Sequence, residues 1–117
     1  MSANKKVRIN LTFDWWEAVV EVERCDKTTE KMKAQLLFWM NGQHRIDEEK
    51  GDIEKAYLKM LTQQLIYLSM EFNTFGIKEE MADMEGWYSI DGKHGVKLLT
   101  ADTWRFMECD VRLEEKT

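Results

Sequence analysis

A chain of 117 residues has the length of one domain, and 44% apolar content with five Trp argues against disorder despite 33% charged residues. A net charge of −5 argues against direct nucleic-acid binding, which needs clustered Lys and Arg to displace phosphate counterions, and no apolar run approaches the roughly 18–20 residues of a membrane span. Two Cys are too few for a disulfide framework, and the first ten residues lack the apolar stretch of a signal peptide, so a cytoplasmic protein with free thiols at Cys25 and Cys109 is expected.

Over residues 5–13, Val7, Ile9, Leu11 and Phe13 share one parity, with Arg8, Asn10 and Thr12 on the other. That is the alternation of a half-buried strand. Trp16, Ala18, Val20 and Val22 repeat it. A hairpin joins the two runs, although Asp14-Trp15 is poor chemistry for a tight turn; one long bent strand is the alternative. Thr28 and Thr29 are expected to start a helix through Met32, Leu36, Trp39 and Met40. It stops at Asn41-Gly42 or continues, weakened, through Ile46. From Leu36 to Met40 five apolar residues run together, and at about 100° per residue they wrap the whole helix. Such a belt needs cover from the sheet, a second helix or a dimer partner.

The strongest periodicity lies in residues 52–76. Ile53, Ala56, Tyr57, Met60, Leu61, Gln64, Leu65, Leu68 and Phe72 recur at three-and-four spacing, with Asp52 placed to cap the start and Gly76 to end the helix. Residues 77–95 are expected to form a long loop with one short helical turn over 79–84, a length often tied to function. Residues 96–99 and 104–113 give two further strands, the last with a bulge near Met107-Glu108 where the parity changes. Proline is absent, so nothing suggests a stiff linker. The expected fold is α+β over a single domain, residues 1–117: a four-stranded antiparallel sheet in the order β-β-α-α-β-β, packed against two helices.

Few residues suggest catalysis. His44, His94, Cys25 and Cys109 lack the closely spaced pairs of a zinc site, so no metal and no cofactor are expected. Asp47-Glu48-Glu49 and Glu79-Glu80 have the character of solvated faces rather than opposed acid–base carboxylates. Gly92-Lys93-His94-Gly95 is too short for a phosphate cradle and is expected to be a turn. Contact surfaces make a stronger case. Trp15 and Trp16 point to opposite faces of a strand, so one of them needs cover outside the core. Met84, Trp87 and Tyr88 stand among Glu79, Glu80, Asp83 and Glu85, the pattern of an interface centre with a charged rim; the alternative is a lid folded back over the sheet.

The N-terminal β pattern, Phe38-Trp39 on a helix, Gly51-Asp52, Lys59-Met60-Leu61, Gln63-Gln64, Gly86-Trp87, Ile90-Asp91-Gly92, Gly95-Val96 and an acidic terminal segment together resemble a family of small phage- and prophage-encoded domains of unknown function. The resemblance implies a mobile-element origin and supplies no catalytic residues. Many small acidic proteins of that origin act by binding, including inhibitors of host defence such as anti-CRISPR proteins, an association by class alone. The expectation is therefore a non-enzymatic protein that binds a basic surface on a host protein complex. Met84, Trp87 and Tyr88 would anchor the contact, Glu79, Glu80, Asp83 and Glu85 would steer it, and Trp15 is a further candidate contact residue. The alternatives are a homo-oligomer, such as a homodimer through the segment from Leu36 to Met40, and an enzyme using Cys25 or Cys109 with a histidine.

Overall fold

The computed structural model describes residues 5–102. The alternating segments form strands β1 (Lys5–Phe13) and β2 (Trp16–Arg24), paired antiparallel from Lys5 opposite Arg24 to Phe13 opposite Trp16. This register leaves only Asp14 and Trp15 to reverse the chain. Asp14 takes a φ of 51°, a left-handed conformation that Asp tolerates better than most residues. The hairpin closes there despite the unfavourable pair.

Strand β3 (Val96–Ala101) adds antiparallel to β2, which makes β2 central. The register passes from Val19 opposite Thr100 to Val20 opposite Leu98, so Leu99 is an extra residue and forms a bulge. The strand expected over 104–113, its bulge near Met107-Glu108, and Cys109 lie outside the described residues. The expected four strands and two helices are corrected, among the described residues, to three strands and four helices.

Burial follows position in the sheet. Central β2 buries Trp16, Ala18, Val20 and Val22, whereas edge strand β1 buries only Leu11 fully. Trp16 Nε1 donates to Ser69 Oγ at 3.2 Å and to the Asp102 carbonyl at 2.9 Å, which fastens the centre of the fold at one end. A buried indole N–H needs such partners.

Helix α1 (Asp26–Phe38) begins before Thr28, which does not cap it. Thr28 is instead buried against the Gly95 turn: a Cβ at Gly95 would come within 2.1 Å of Thr28 Oγ1, and Gly95 has a φ of 91°. The helix stops at Phe38 because the chain doubles back onto it. Asn41 turns through a φ of 66°, and Gly42 then opens α2 (Gly42–Glu48) so close to α1 that a Cβ there would meet the Leu36 carbonyl oxygen at 1.9 Å.

Helix α3 (Ile53–Ser69) is capped by Asp52, whose carboxylate accepts from the Lys55 N–H at 3.1 Å. It buries Ala56, Tyr57, Met60, Leu61, Leu65 and Leu68. It ends at Ser69 and not at Gly76. Asn73 starts a new helix, α4 (Thr74–Asp83), by accepting from the Gly76 N–H at 2.9 Å, so Gly76 belongs to a first turn. Ile77 and Met81, four apart and both fully buried, hold α4 to the core. The long loop expected over 77–95 therefore shrinks to residues 84–95.

Candidate partner-binding surface

Near its C-terminus α1 loses its two-sided character. Met32, Gln35 and Leu36 are buried, but Leu37 and Phe38 are about half exposed. The reversal into α2 then turns Trp39 and Met40 outward, Met40 to 86% exposure. Only Leu36 of the five-residue apolar belt is fully covered.

The exposed rings continue inward as a chain. Phe38 meets Trp39 edge-on with centroids 5.1 Å apart, Trp39 lies 6.1 Å from Trp87, and Trp87 lies 6.2 Å from Tyr57. Burial pushes the Tyr57 hydroxyl well above its ordinary pKa, with the Gln35 side chain as a smaller opposing influence. Trp87 itself is buried, and its Nε1 has no hydrogen-bond partner. It is the floor of the surface, not a protruding anchor. On one side of it lies a cleft of about 220 Å³ between Gln35, Phe38 and Tyr88; on the other a cleft of about 400 Å³ runs between Trp39, Met40, Met60 and Tyr67.

Polar contacts hold residues 84–94 in place around this floor. Gln35 Oε1 accepts from the Tyr88 N–H at 2.9 Å, while its amide nitrogen donates to the Lys31 carbonyl. Gln64 Nε2 donates to Met84 Sδ at 3.0 Å, tying the end of α4 to α3. Lys31 Nζ donates to His94 Nδ1 at 2.9 Å, and the Tyr88 ring stacks on His94 at 4.9 Å. Arg45 lies in the wall of the larger cleft and donates to the Met40 carbonyl at 3.0 Å.

The structure thus brings Met84, Trp87 and Tyr88 to one surface, with Met84 half-buried and Tyr88 39% exposed. Glu79, Glu80 and Asp83 are exposed on α4, whose buried side carries Ile77 and Met81. Trp15 is separate from this group. It is 55% exposed at the hairpin turn, while Trp16 occupies the core and Glu17 is bonded to Asp102. Tyr67 and the Lys31–His94 contact were not among the expected site residues. Met60, Gln63 or Gln64, and Tyr67 do repeat at helical spacing, a second stripe beside the strong one. The Lys31–His94 contact joins residues far apart in the chain and left no local pattern.

Cys25 and His44 are engaged elsewhere. Thr28, first through its hydroxyl and then through its N–H, draws the Cys25 thiol below its ordinary pKa; Cys25 Sγ and Thr28 Oγ1 are 3.3 Å apart. His44 pairs with Glu48 at 2.9 Å. Among the described residues no three His, Cys, Asp or Glu groups are placed to hold a metal ion. None of their helices is long and apolar enough to cross a membrane.

This α+β architecture carries a phage-type domain of unknown function, as comparison of the sequence with known proteins establishes. Residues 18–113 match the family described as Protein of unknown function (DUF2528), and the chain belongs to that family. It is similar to Protein ea10 of Escherichia phage lambda, with 30% identity over 118 residues covering 94% of each chain. Its likeness to the Lambda prophage-derived protein ea10 of Escherichia coli O6:H1 (strain CFT073) has the same identity and coverage. No solved structure matches it.

Proposed function

We propose that this domain is a non-enzymatic phage accessory protein that binds and modulates a host protein complex. The observation that carries the reading is the run of exposed Phe38, Trp39 and Met40 beside Tyr67 and Tyr88, two clefts sharing Trp87 as their floor. Large apolar side chains grouped in this way on a surface are typical of interface centres. The exposed carboxylates of α4 lie next along the chain from Met84, which is fixed to the wall of the larger cleft through Gln64. Acidic groups beside an apolar centre favour a partner whose own apolar patch is edged with Lys or Arg. Inhibition of a host defence system, as by an anti-CRISPR protein, is the specific form of modulation in view.

Affinity capture from host lysate followed by reconstitution with the purified partner tests this. The Glu79→Lys, Glu80→Lys, Asp83→Lys triple variant should retain its fold and lose most of the complex at low salt. Unchanged binding by that variant counts against the proposal. A second reading, self-association through the same apolar cluster, is favoured by the exposure of four of the five belt residues. Under that reading Met40→Asp converts an oligomer to a monomer in light scattering.

A further inference from the structure

Strand β1 leaves an outer edge that the hairpin does not use. Backbone bonds fix which groups face it. Glu17 and Glu23 of β2 bond away from β1, Glu17 accepting from the Asp102 N–H at 2.9 Å and Glu23 donating to the Gly95 carbonyl at 2.8 Å. The even-numbered residues of β2 therefore bond toward β1, and by the register their partners are Lys5, Val7, Ile9, Leu11 and Phe13. Lys6, Arg8, Asn10 and Thr12 are left with backbone N–H and C=O groups aimed outward. Among the described residues β1 pairs with β2 alone.

Edges of this kind are ordinarily blunted by shortness, proline, a bulge or charge. β1 is nine residues long, pairs without a break along its length, and contains no proline. Its cations are confined to Lys5, Lys6 and Arg8, so residues 9–13 carry no charge. Beside it, on the helix side, two clefts of about 430 and 530 Å³ run between Ile9, Leu11 and Phe13 of the strand and Leu58, Thr62 and Ile66 of α3, with Asp52, Glu54, Lys55 and Lys59 also in their walls. That is room for a further row of side chains from an added strand.

We infer that the occupant is a second copy of this chain, pairing β1 against β1 about a two-fold axis. The charge pattern argues for it. An antiparallel register centred on Asn10 places the outward-bonding positions opposite each other, Asn10 facing Asn10 and Arg8 facing Thr12. Ile9 then faces Leu11 and Val7 faces Phe13, so the row on the helix side is apolar from Val7 to Phe13, with Lys5 at its end. The cationic half of each strand lies against the neutral half of the other. A register centred on Arg8 would set Arg8 against Arg8, a like-charge pair that opposes assembly. The resulting sheet, six-stranded among the described residues, covers Val7 and Ile9, which the single chain leaves half-buried.

Sedimentation equilibrium from about 1 μM to about 1 mM, with charge swaps at Asn10, tests this association. Asn10 is exposed and bonds outward, so Asn10→Lys and Asn10→Glu leave the hairpin intact. The wild type should show a monomer–dimer equilibrium and each variant alone a monomer, while their equimolar mixture recovers the dimer. Asn10→Pro, which removes an outward N–H and no bond to β2, should also be monomeric with unchanged circular dichroism. A wild type that stays monomeric throughout, or a dimer indifferent to charge at position 10, overturns the inference.

Discussion

Gly86 lies directly against the ring of Phe38: a Cβ at position 86 would stand 2.4 Å from Phe38 Cδ1 and Cε1. Gly86 also has a φ of 88°, so two independent constraints exclude a side chain there. Without this contact the loop carrying Trp87 and Tyr88 could not lie so close to the end of α1.

The two constraints separate in a mutant cycle. Gly86→Ala should destabilise the fold by about 1–3 kcal/mol, the cost of a non-glycine residue in strained backbone plus the steric contact. In the Phe38→Ala background the two closest contacts disappear, while the backbone part and a contact with Trp39 Cζ2 at 2.8 Å remain, so the same substitution should cost less. Urea denaturation of the four proteins measures the coupling, and strict additivity would show that Phe38 does not press on residue 86.

Core and surface should respond oppositely to truncation. Leu61→Ala empties a fully buried position on α3 and should cost about 2–5 kcal/mol. Met40→Ala removes a side chain that is 86% exposed, and should change stability by no more than about 0.5 kcal/mol. The same urea titrations decide this, and a large loss at Met40 would mean that it is covered.

Cys25 should alkylate as an acidified thiol. In a Cys109→Ser background, the pH profile of iodoacetamide reaction should report an apparent pKa below the ordinary 9.0, because Thr28 hydrogen-bonds the thiolate. Thr28→Val removes the hydroxyl, the largest influence, and should move the profile upward. A profile that does not move would mean that the hydroxyl does not reach the sulfur.

Acid should weaken one particular link. Lys59 first, and then Lys55, hold the Glu49 carboxyl below its ordinary value of 4.5, joining the end of α2 to α3. Its pKa is lower in the folded state than in the unfolded state, so its contribution is present above about pH 4.5 and is lost as pH falls through the folded value. Wild type and Glu49→Gln should differ in stability at pH 7 and converge toward pH 3. Parallel stability curves across that range would contradict the assignment.

The elements that could be read from the chain were those built from local period. α3 announced itself by three-and-four spacing behind Asp52, and the hairpin by alternating parity. The errors came where one residue type serves two opposite purposes. Gly76 reads as a helix stop, but its N–H completes the Asn73 cap of the next helix. Asn41-Gly42 did mark a break, yet the reason, contact of Gly42 with the Leu36 carbonyl, depends on the chain folding back on itself. The surface was legible by composition only. Met84, Trp87 and Tyr88 do come together, but whether a Trp stands out or lies beneath its neighbours is set by α1 and α3, distant in sequence. The role of Phe38, Trp39 and Met40 was hidden for the same reason, since an apolar belt on a helix is equally well a core.

The most direct measurement is the affinity of the purified host partner for this domain, by titration calorimetry. Trp39→Ala with Met40→Ala should weaken binding at least tenfold, and wild-type affinity should fall as salt rises, while Trp15→Ala leaves it unchanged. Binding that survives loss of both Trp39 and Met40 and is insensitive to salt would contradict an interface built on this cluster and its acidic rim.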